Sequence, residues 1–313
     1  MLRPLFPVLL ISAIVQCVAL YADPVVVATY NVENYGPLDR RVESTFRPGY
    51  PKPESEKQAL RTAIEAIKAD VLALQEMGGP AYLDELRHDL KAEGIDYPYS
   101  AIVEAEDAAR HIALLSRLPL KAIIRHADIE YAYLGKTARV KRGLLEAVVS
   151  GPGGDFTVFV LHLKSRLTDR PDDPGAQIQR LGEAMAVRTL IRKRFPKSSQ
   201  ARFIILGDFN DGQNSPTLKR LEKIGAEAIA DCLPAADTRG ETWTELYRGG
   251  GAYTEIDHIL VSPALHSAVA GGAASIYDGP ETVSASDHRP VFARLSIFAA
   301  RPGGGGSDTA TRD

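Results

Sequence analysis

The polar residues of this chain fall where apolar runs stop. Val25-Val26-Val27-Ala28-Thr29-Tyr30 runs into Asn31, Val71-Leu72-Ala73-Leu74-Gln75 into Glu76, and Val158-Phe159-Val160-Leu161 into His162. Phe203-Ile204-Ile205-Leu206-Gly207 ends in Asp208-Phe209-Asn210, and Asp257-His258 and Asp287-His288 each open a further apolar run. Where neighbouring strands run in opposite directions, the end of one lies beside the start of the next. These segments can therefore bring Asn31, Glu76, His162, Asp208, Asn210, Asp257, Asp287 and His288 to one edge of a sheet core. Carboxylates and carboxamides are hard oxygen donors that suit Mg²⁺ or Mn²⁺, whereas Zn²⁺ would want more His or Cys. Imidazoles beside carboxylates carry protons near neutral pH.

Each piece has an ordinary alternative. Asn31 could cap a turn, and Glu76 could mark where a strand meets water. Asp208-Phe209-Asn210-Asp211-Gly212 could be an Asx-rich turn. His162 could be a hydrogen-bonded core histidine, and Asp287-His288 a loop ion pair. What these readings leave unexplained is the whole set, in order, each at a strand edge.

The elements that must hold them are short. Val25–Val32, Asp70–Glu76, His111–Leu118, Leu144–Val149, Phe156–Leu163, Phe203–Gly207, Ile256–Val261 and Val291–Ile297 read as strands. A helix capped by Ser55 carries Leu60, Ile64, Ile67 and Val71 on one face. A second, Ala176 to Arg194, places Ile178, Leu181, Met185 and Leu190 inward, with Arg192, Lys193 and Arg194 suiting the negative end of its dipole. Three loops stand out: Tyr35–Glu54, Leu167–Gly175 and Pro234–Tyr253. No long linker interrupts the pattern, which reads as one α/β domain over 23–298.

Composition bounds the rest. The chain has 313 residues, and its formal net charge of -3 speaks against a protein coated in phosphate-binding cations. Two Cys exclude a disulfide-built scaffold. Arg3, the apolar run Leu5 to Leu20 and the small residue Ala22 before Asp23 read as a signal peptide over 1–22. Cleavage there removes Cys17, leaves Cys232 as the sole thiol, and predicts an exported protein, periplasmic or extracellular. The Gly-rich segment 299–313 reads as a disordered tail.

In combination, Thr29-Tyr30-Asn31-Val32, Leu74-Gln75-Glu76, Ile112 to Arg117, Leu161-His162-Leu163-Lys164-Ser165, Gly207-Asp208-Phe209-Asn210, Ile256-Asp257-His258-Ile259 and Ser286-Asp287-His288-Arg289-Pro290 resemble the endonuclease/exonuclease/phosphatase superfamily. The resemblance spans about residues 25–297. It implies a deoxyribonuclease I-like fold, an α/β (α+β) four-layer sandwich of two packed mixed β-sheets flanked by helices. It also implies Asn31, Glu76 and Asp287 as Mg²⁺ (or Mn²⁺) ligands and Asp208 as the group that orients or deprotonates the attacking water. Asn210 would bind an oxygen of the phosphate or fix the nucleophile. His288, held by Asp257, would contact the scissile phosphate or act as acid or base. His162 would be a second acid–base group, which deoxyribonuclease I-like enzymes pair with a glutamate that this sequence does not single out. Arg142 and Lys164 are candidate phosphate clamps, each weighed evenly against an ordinary surface cation, and Arg166 reads as surface.

The expected activity is an exported, metal-dependent phosphoesterase, first of all a monomeric nuclease cleaving phosphodiesters by in-line water attack. The alternatives are a sphingomyelinase-like or small-molecule phosphodiesterase or phosphatase, and a non-catalytic binding module of the same fold. The loop Tyr35–Glu54 has Phe46 and Tyr50 among many charges and does not read as a membrane-inserting hairpin. No stable membrane insertion is expected once the signal is removed.

Overall fold

Strand Val25–Tyr35 (β1) is buried along most of its length because both of its faces are covered, and its first half is a nearly continuous apolar run. Val25 and Val27 enter a core between two sheets, whereas Ala28 and Tyr30 enter another beneath helices, the alternation of a pleated strand. The computed structural model describes residues 23–297, so the expected signal peptide and Gly-rich tail lie outside the described residues.

After β1 come a hairpin of β2 (Leu38–Val42) and β3 (Thr45–Tyr50), helix α1 (Glu54–Ile67), β4 (Val71–Met77) and α2 (Pro80–Ala92). Next are β5 (Tyr99–Val103), β6 (His111–Ser116), β7 (Leu120–His126), and a hairpin of β8 (Glu130–Tyr133) and β9 (Lys136–Arg139). The second half carries β10 (Leu144–Gly151), β11 (Gly154–His162), α3 (Gln177–Arg194), β12 (Phe203–Asp208) and α4 (Pro216–Glu222). Short strands β13 (Lys223–Ile224), β14 (Glu227–Ala228), β15 (Asp231–Cys232) and β16 (Ala235–Ala236) precede a hairpin of β17 (Glu245–Tyr247) and β18 (Ala252–Thr254). The order ends with β19 (Asp257–Val261), α5 (Pro263–His266), β20 (Ala274–Ile276), α6 (Thr282–Ala285) and β21 (Val291–Leu295).

One sheet has the order β16-β20-β21-β1-β4-β6-β5 and the other β15-β19-β12-β11-β10-β7. Both are mixed: β1 is parallel to β4 and antiparallel to β21, and β12 is parallel to β11 and antiparallel to β19. Helices α1 and α2 cover the first sheet through Leu60, Ile64, Leu83 and Leu86, while α3 and α4 cover the second through Val187, Ile191, Leu218 and Leu221. The four layers are those expected. Among the described residues no helix is long and apolar enough to cross a membrane.

Local differences have physical causes. The N-cap of α1 is Pro53, not Ser55, and the Pro53 carbonyl accepts from Glu56 and Lys57 while Glu54 and Glu56 meet the positive end of the dipole. Lys68, at φ 54°, ends that helix, so Val71 opens β4 and does not extend the helical face. The inward face of α3 is Arg180, Glu183, Ala184, Val187 and Ile191, with Ile178 and Met185 47% and 40% exposed. Apolar spacing misplaced that face because two of its buried positions are charged. The stretch read as loop Tyr35–Glu54 contains the β2–β3 hairpin: β3 is mostly exposed, and the half-buried positions of β2 include Arg40, so apolar alternation does not mark it. Helix α2 and strands β5 and β7 were not foreseen.

Candidate active site

Register does most of the assembly. Across three adjacent strands, His162 of β11 pairs with Asp208 of β12, which pairs with Asp257 of β19. Paired positions point to the same side of a sheet, so three titratable groups meet by strand pairing alone. Gly207 makes the approach possible. Its φ is +148°, and a Cβ there would fall 2.0 Å from the Leu161 carbonyl oxygen.

The first sheet supplies its members through bulges. The β1–β4 register shifts between Asn31 and Tyr35, and the β4–β6 register between Leu74 and Met77. Glu76 sits in that second irregularity at φ 63°, and Glu33 and Asn34 also adopt positive φ. Such bulges re-aim side chains at sheet edges. Glu76 Oε2 accepts from the Asn34 amide at 3.0 Å, and its other oxygen lies 3.7 Å from Arg110 Nε.

The two sheets meet at Asp208. Asn31 Nδ2 donates to Asp208 Oδ2 at 3.0 Å, and His162 Nε2 lies 3.3 Å from the same oxygen. Asp208 Oδ1 accepts from the Asn210 amide at 2.8 Å. Asn210, at φ 53°, donates through Nδ2 to the Leu163 carbonyl at 3.0 Å. His288 Nδ1 meets Asp257 Oδ2 at 2.8 Å, and its Nε2 faces Asp208 Oδ2 at 4.0 Å and Asp287 Oδ1 at 3.9 Å. Ser286 ties the halves together: its hydroxyl donates to the Asn31 carbonyl at 2.8 Å and accepts from the His288 amide at 3.0 Å. Asn31, His162, Asp208, Asn210, Asp257 and His288 are all buried, while Asp287 and Glu76 keep partial access to solvent.

Burial and charge divide the protons. Burial raises the Asp208 pKa, and the Asp257 charge raises it further. His162 is driven well below the ordinary imidazole value by burial and then by the nearby Arg142, His288, Arg110 and Lys164 charges. Its Nε2 faces Asp208 Oδ2, and its Nδ1 has no hydrogen-bond partner. Burial opposes charge on His288 too, but Asp257, Asp208 and Asp287 together hold its pKa well above the ordinary value. The ion pair fixes Nδ1 as a donor and presents Nε2–H to the open side. Among the described residues no glutamate hydrogen-bonds to His162, the partner that the resemblance led one to seek.

The candidate clamps differ. Arg142 is buried beside His162, donating from Nε to Asp107 Oδ2 at 2.9 Å and from Nη1 to the Leu163 carbonyl at 3.3 Å. Lys164 turns its ammonium to the Ser165 carbonyl, the Ser165 hydroxyl and the Leu167 carbonyl, so it braces its own loop. Arg166 is exposed and lies 3.7 Å from Asp211.

Sequence reasoning missed several supports. Asp107 holds Arg142 with one oxygen and the amides of Ala109 and Arg110 with the other. Glu183, fully buried on α3, accepts from the Lys164 amide at 2.7 Å and the Lys141 amide at 3.2 Å, gripping the backbone on which both clamps sit. Burial raises its pKa to about 7. Thr244 accepts the Ile256 and Asp257 amides on its hydroxyl. The readable signal was charge at the inward spacing of α3, Arg180 followed three residues later by Glu183.

Two donor sets could take a cation. Asp208, Asp257 and His288 offer atoms within 4.8 Å of one another. That set is already committed to the His288–Asp257 pair and to two asparagine contacts. The Glu76 and Asp287 carboxylates, both partly exposed, and Asn31 Oδ1, which is buried and accepts from the Glu33 amide at 3.1 Å, are the hard oxygen donors that suit a divalent ion keeping water ligands.

A profile of the Endonuclease/Exonuclease/phosphatase family matches residues 28–288. Among solved structures, the human Nocturnin catalytic domain with bound sulfate shares 17% identity at a TM-score of 0.60, covering 88% of this chain and 97% of that one. A Staphylococcus aureus beta toxin variant with bound magnesium ions shares 16% at 0.59, covering 87% and 99%. Sphingomyelinase C from Streptomyces griseocarneus shares 14% at 0.58, covering 88% and 100%. No curated protein sequence matches the chain.

Proposed function

The chain belongs to the endonuclease/exonuclease/phosphatase family, and we propose that it is an exported, monomeric, divalent-metal-dependent nuclease that hydrolyses phosphodiesters by in-line attack of water. The observation that carries the phosphoesterase chemistry is the buried cluster in which Asp208 touches both Asn31 and His162 and faces the His288–Asp257 pair.

Asn31, Glu76 and Asp287 would hold the ion, which when bound polarises a phosphoryl oxygen and offsets charge in the transition state. The Asp208 carboxylate, kept basic by burial and oriented by Asn31 and Asn210, takes the proton of the attacking water. His288 directs Nε2–H at a non-bridging oxygen or at the leaving oxygen, and Asp257 stabilises the imidazolium. Neutral His162 fixes Asp208 Oδ2, and Arg142 places its charge on the same side.

The near-neutral charge supports binding by a local clamp and a metal, with low sequence specificity. A sphingomyelinase-like activity is the second reading, favoured by the fold shared with Sphingomyelinase C. Incubation of the purified protein with plasmid, single-stranded DNA, RNA, mononucleotides and sphingomyelin vesicles, with Mg²⁺ or Mn²⁺, separates the two. Cleavage of nucleic acid supports the nuclease reading. Phosphocholine release with all nucleic acids intact overturns it.

A further inference from the structure

Two hairpins with exposed aromatic rings are rooted in the candidate active site. The β2–β3 hairpin follows β1 directly. Its Arg40 donates to the carbonyl of Asn34, the residue whose amide binds Glu76. At its end Phe46 is 60% exposed and pairs across the strands with exposed Arg41, and Arg47 is the next residue. The β17–β18 hairpin is rooted on the backbone of Asp287 and His288. Leu246 N–H donates to the Asp287 carbonyl at 2.8 Å, and Glu245 pairs with His288. It carries Tyr247, 45% exposed, and Tyr253, 61% exposed and 4.8 Å from the Trp243 ring. The turn behind Tyr247 is glycine: a Cβ at Gly249 or Gly250 would stand 3.1 or 3.0 Å from its ring. Arg248 of this hairpin reaches Glu33, at the root of the first, at 3.2 Å.

We propose that the two hairpins form a stacking clamp for unpaired bases on either side of the scissile phosphodiester, which makes single-stranded nucleic acid the preferred substrate. This inference rests on the nuclease reading above. Exposed rings interleaved with arginines are the elements that bind single strands, with bases on the rings and phosphates on the guanidiniums. A membrane surface fits less well. Each hairpin offers one or two rings, two of the three are tyrosines, and Arg41, Arg47 and Arg248 interrupt any apolar face.

The test compares kcat/KM with Mg²⁺ for a single-stranded DNA oligonucleotide, the same sequence as duplex, and an abasic strand of the same length. The unaltered protein should favour the single strand. Phe46→Ala and Tyr247→Ala should each lower kcat/KM for the single strand about tenfold and shrink its advantage over the abasic strand by the same factor. If the unaltered protein cleaves the single strand and both variants match it, the clamp is overturned and the nuclease reading stands. If the unaltered protein cleaves no nucleic acid, both fall. Sphingomyelin-vesicle binding that is lost in Phe46→Ala, with single-strand cleavage intact, would assign the hairpin to a membrane and overturn the clamp.

Discussion

Asp257 Oδ2 accepts from His288 Nδ1 at 2.8 Å, with both residues buried. The other oxygen of Asp257 has no partner, so this carboxylate serves the imidazole. Asp257→Asn keeps the shape but removes the charge that holds His288 protonated. It should lower kcat by about 10²- to 10⁴-fold with little change in KM. Steady-state kinetics on a chromogenic phosphodiester checks this, and a change confined to KM would argue that Asp257 shapes binding instead.

The two active-site histidines should titrate on opposite sides of the ordinary imidazole value, which NMR of ¹⁵N-labelled histidine can follow in metal-free protein. His288 should stay protonated well above it and His162 neutral well below it. The sign for stability follows. A histidine whose folded pKa is raised contributes stability that is fully present below about pH 6.5 and lost as pH rises through its folded value. Urea unfolding should therefore show His288→Ala losing more relative stability at pH 6 than well above the His288 transition.

Glu183 works the other way. Burial raises its folded pKa to about 7, so ionising it costs stability that builds from about pH 4.5 and is complete above about pH 7. The shift corresponds to about 3 kcal/mol. Relative to Glu183→Gln, the unaltered protein should lose about that much unfolding free energy between pH 4 and pH 8. Parallel curves for the two proteins would place the Glu183 pKa near its ordinary value.

Gly207→Ala should destabilise by about 3 kcal/mol or more, because the new methyl meets the Leu161 carbonyl and the backbone at φ +148° favours glycine. Denaturant titration reads this directly.

Glu76→Gln removes the charge of the candidate rim ligand while keeping its shape. Calorimetric Mn²⁺ affinity should fall about tenfold or more. Unchanged affinity would move the ion toward the Asp208, Asp257 and His288 set.

Much of this was legible in the sequence because several reactive residues stand at or beside the ends of strands that are buried on both faces. Apolar runs of that kind announce their own ends, and His162, Asp208 and Asp257 sit at those ends or beginnings, Glu76 one residue before one, and Asn31 at the irregularity inside β1. The four-layer arrangement was what the family resemblance implied. What could not be read was the support. Asp107 acts from an irregular loop, and Glu183 and Arg180 occupy the inward face of α3 where apolar spacing looks for leucine. Lys164 lies two residues beyond the reactive strand end, yet its ammonium closes a local loop, an orientation that spacing does not encode. The β2–β3 hairpin places Arg40 between Leu38 and Val42 on its half-buried face, which breaks the period-2 apolar signal.

The most direct test of the central claim is the rate of phosphodiester hydrolysis by the purified protein with Mg²⁺, after chelation, and with Asp208→Asn or His288→Ala. The account predicts hydrolysis with Mg²⁺, loss on chelation with recovery when Mg²⁺ is restored, and about 10²-fold or greater loss in each folded variant. Hydrolysis that survives chelation, or that persists at the original rate in both variants, would contradict it.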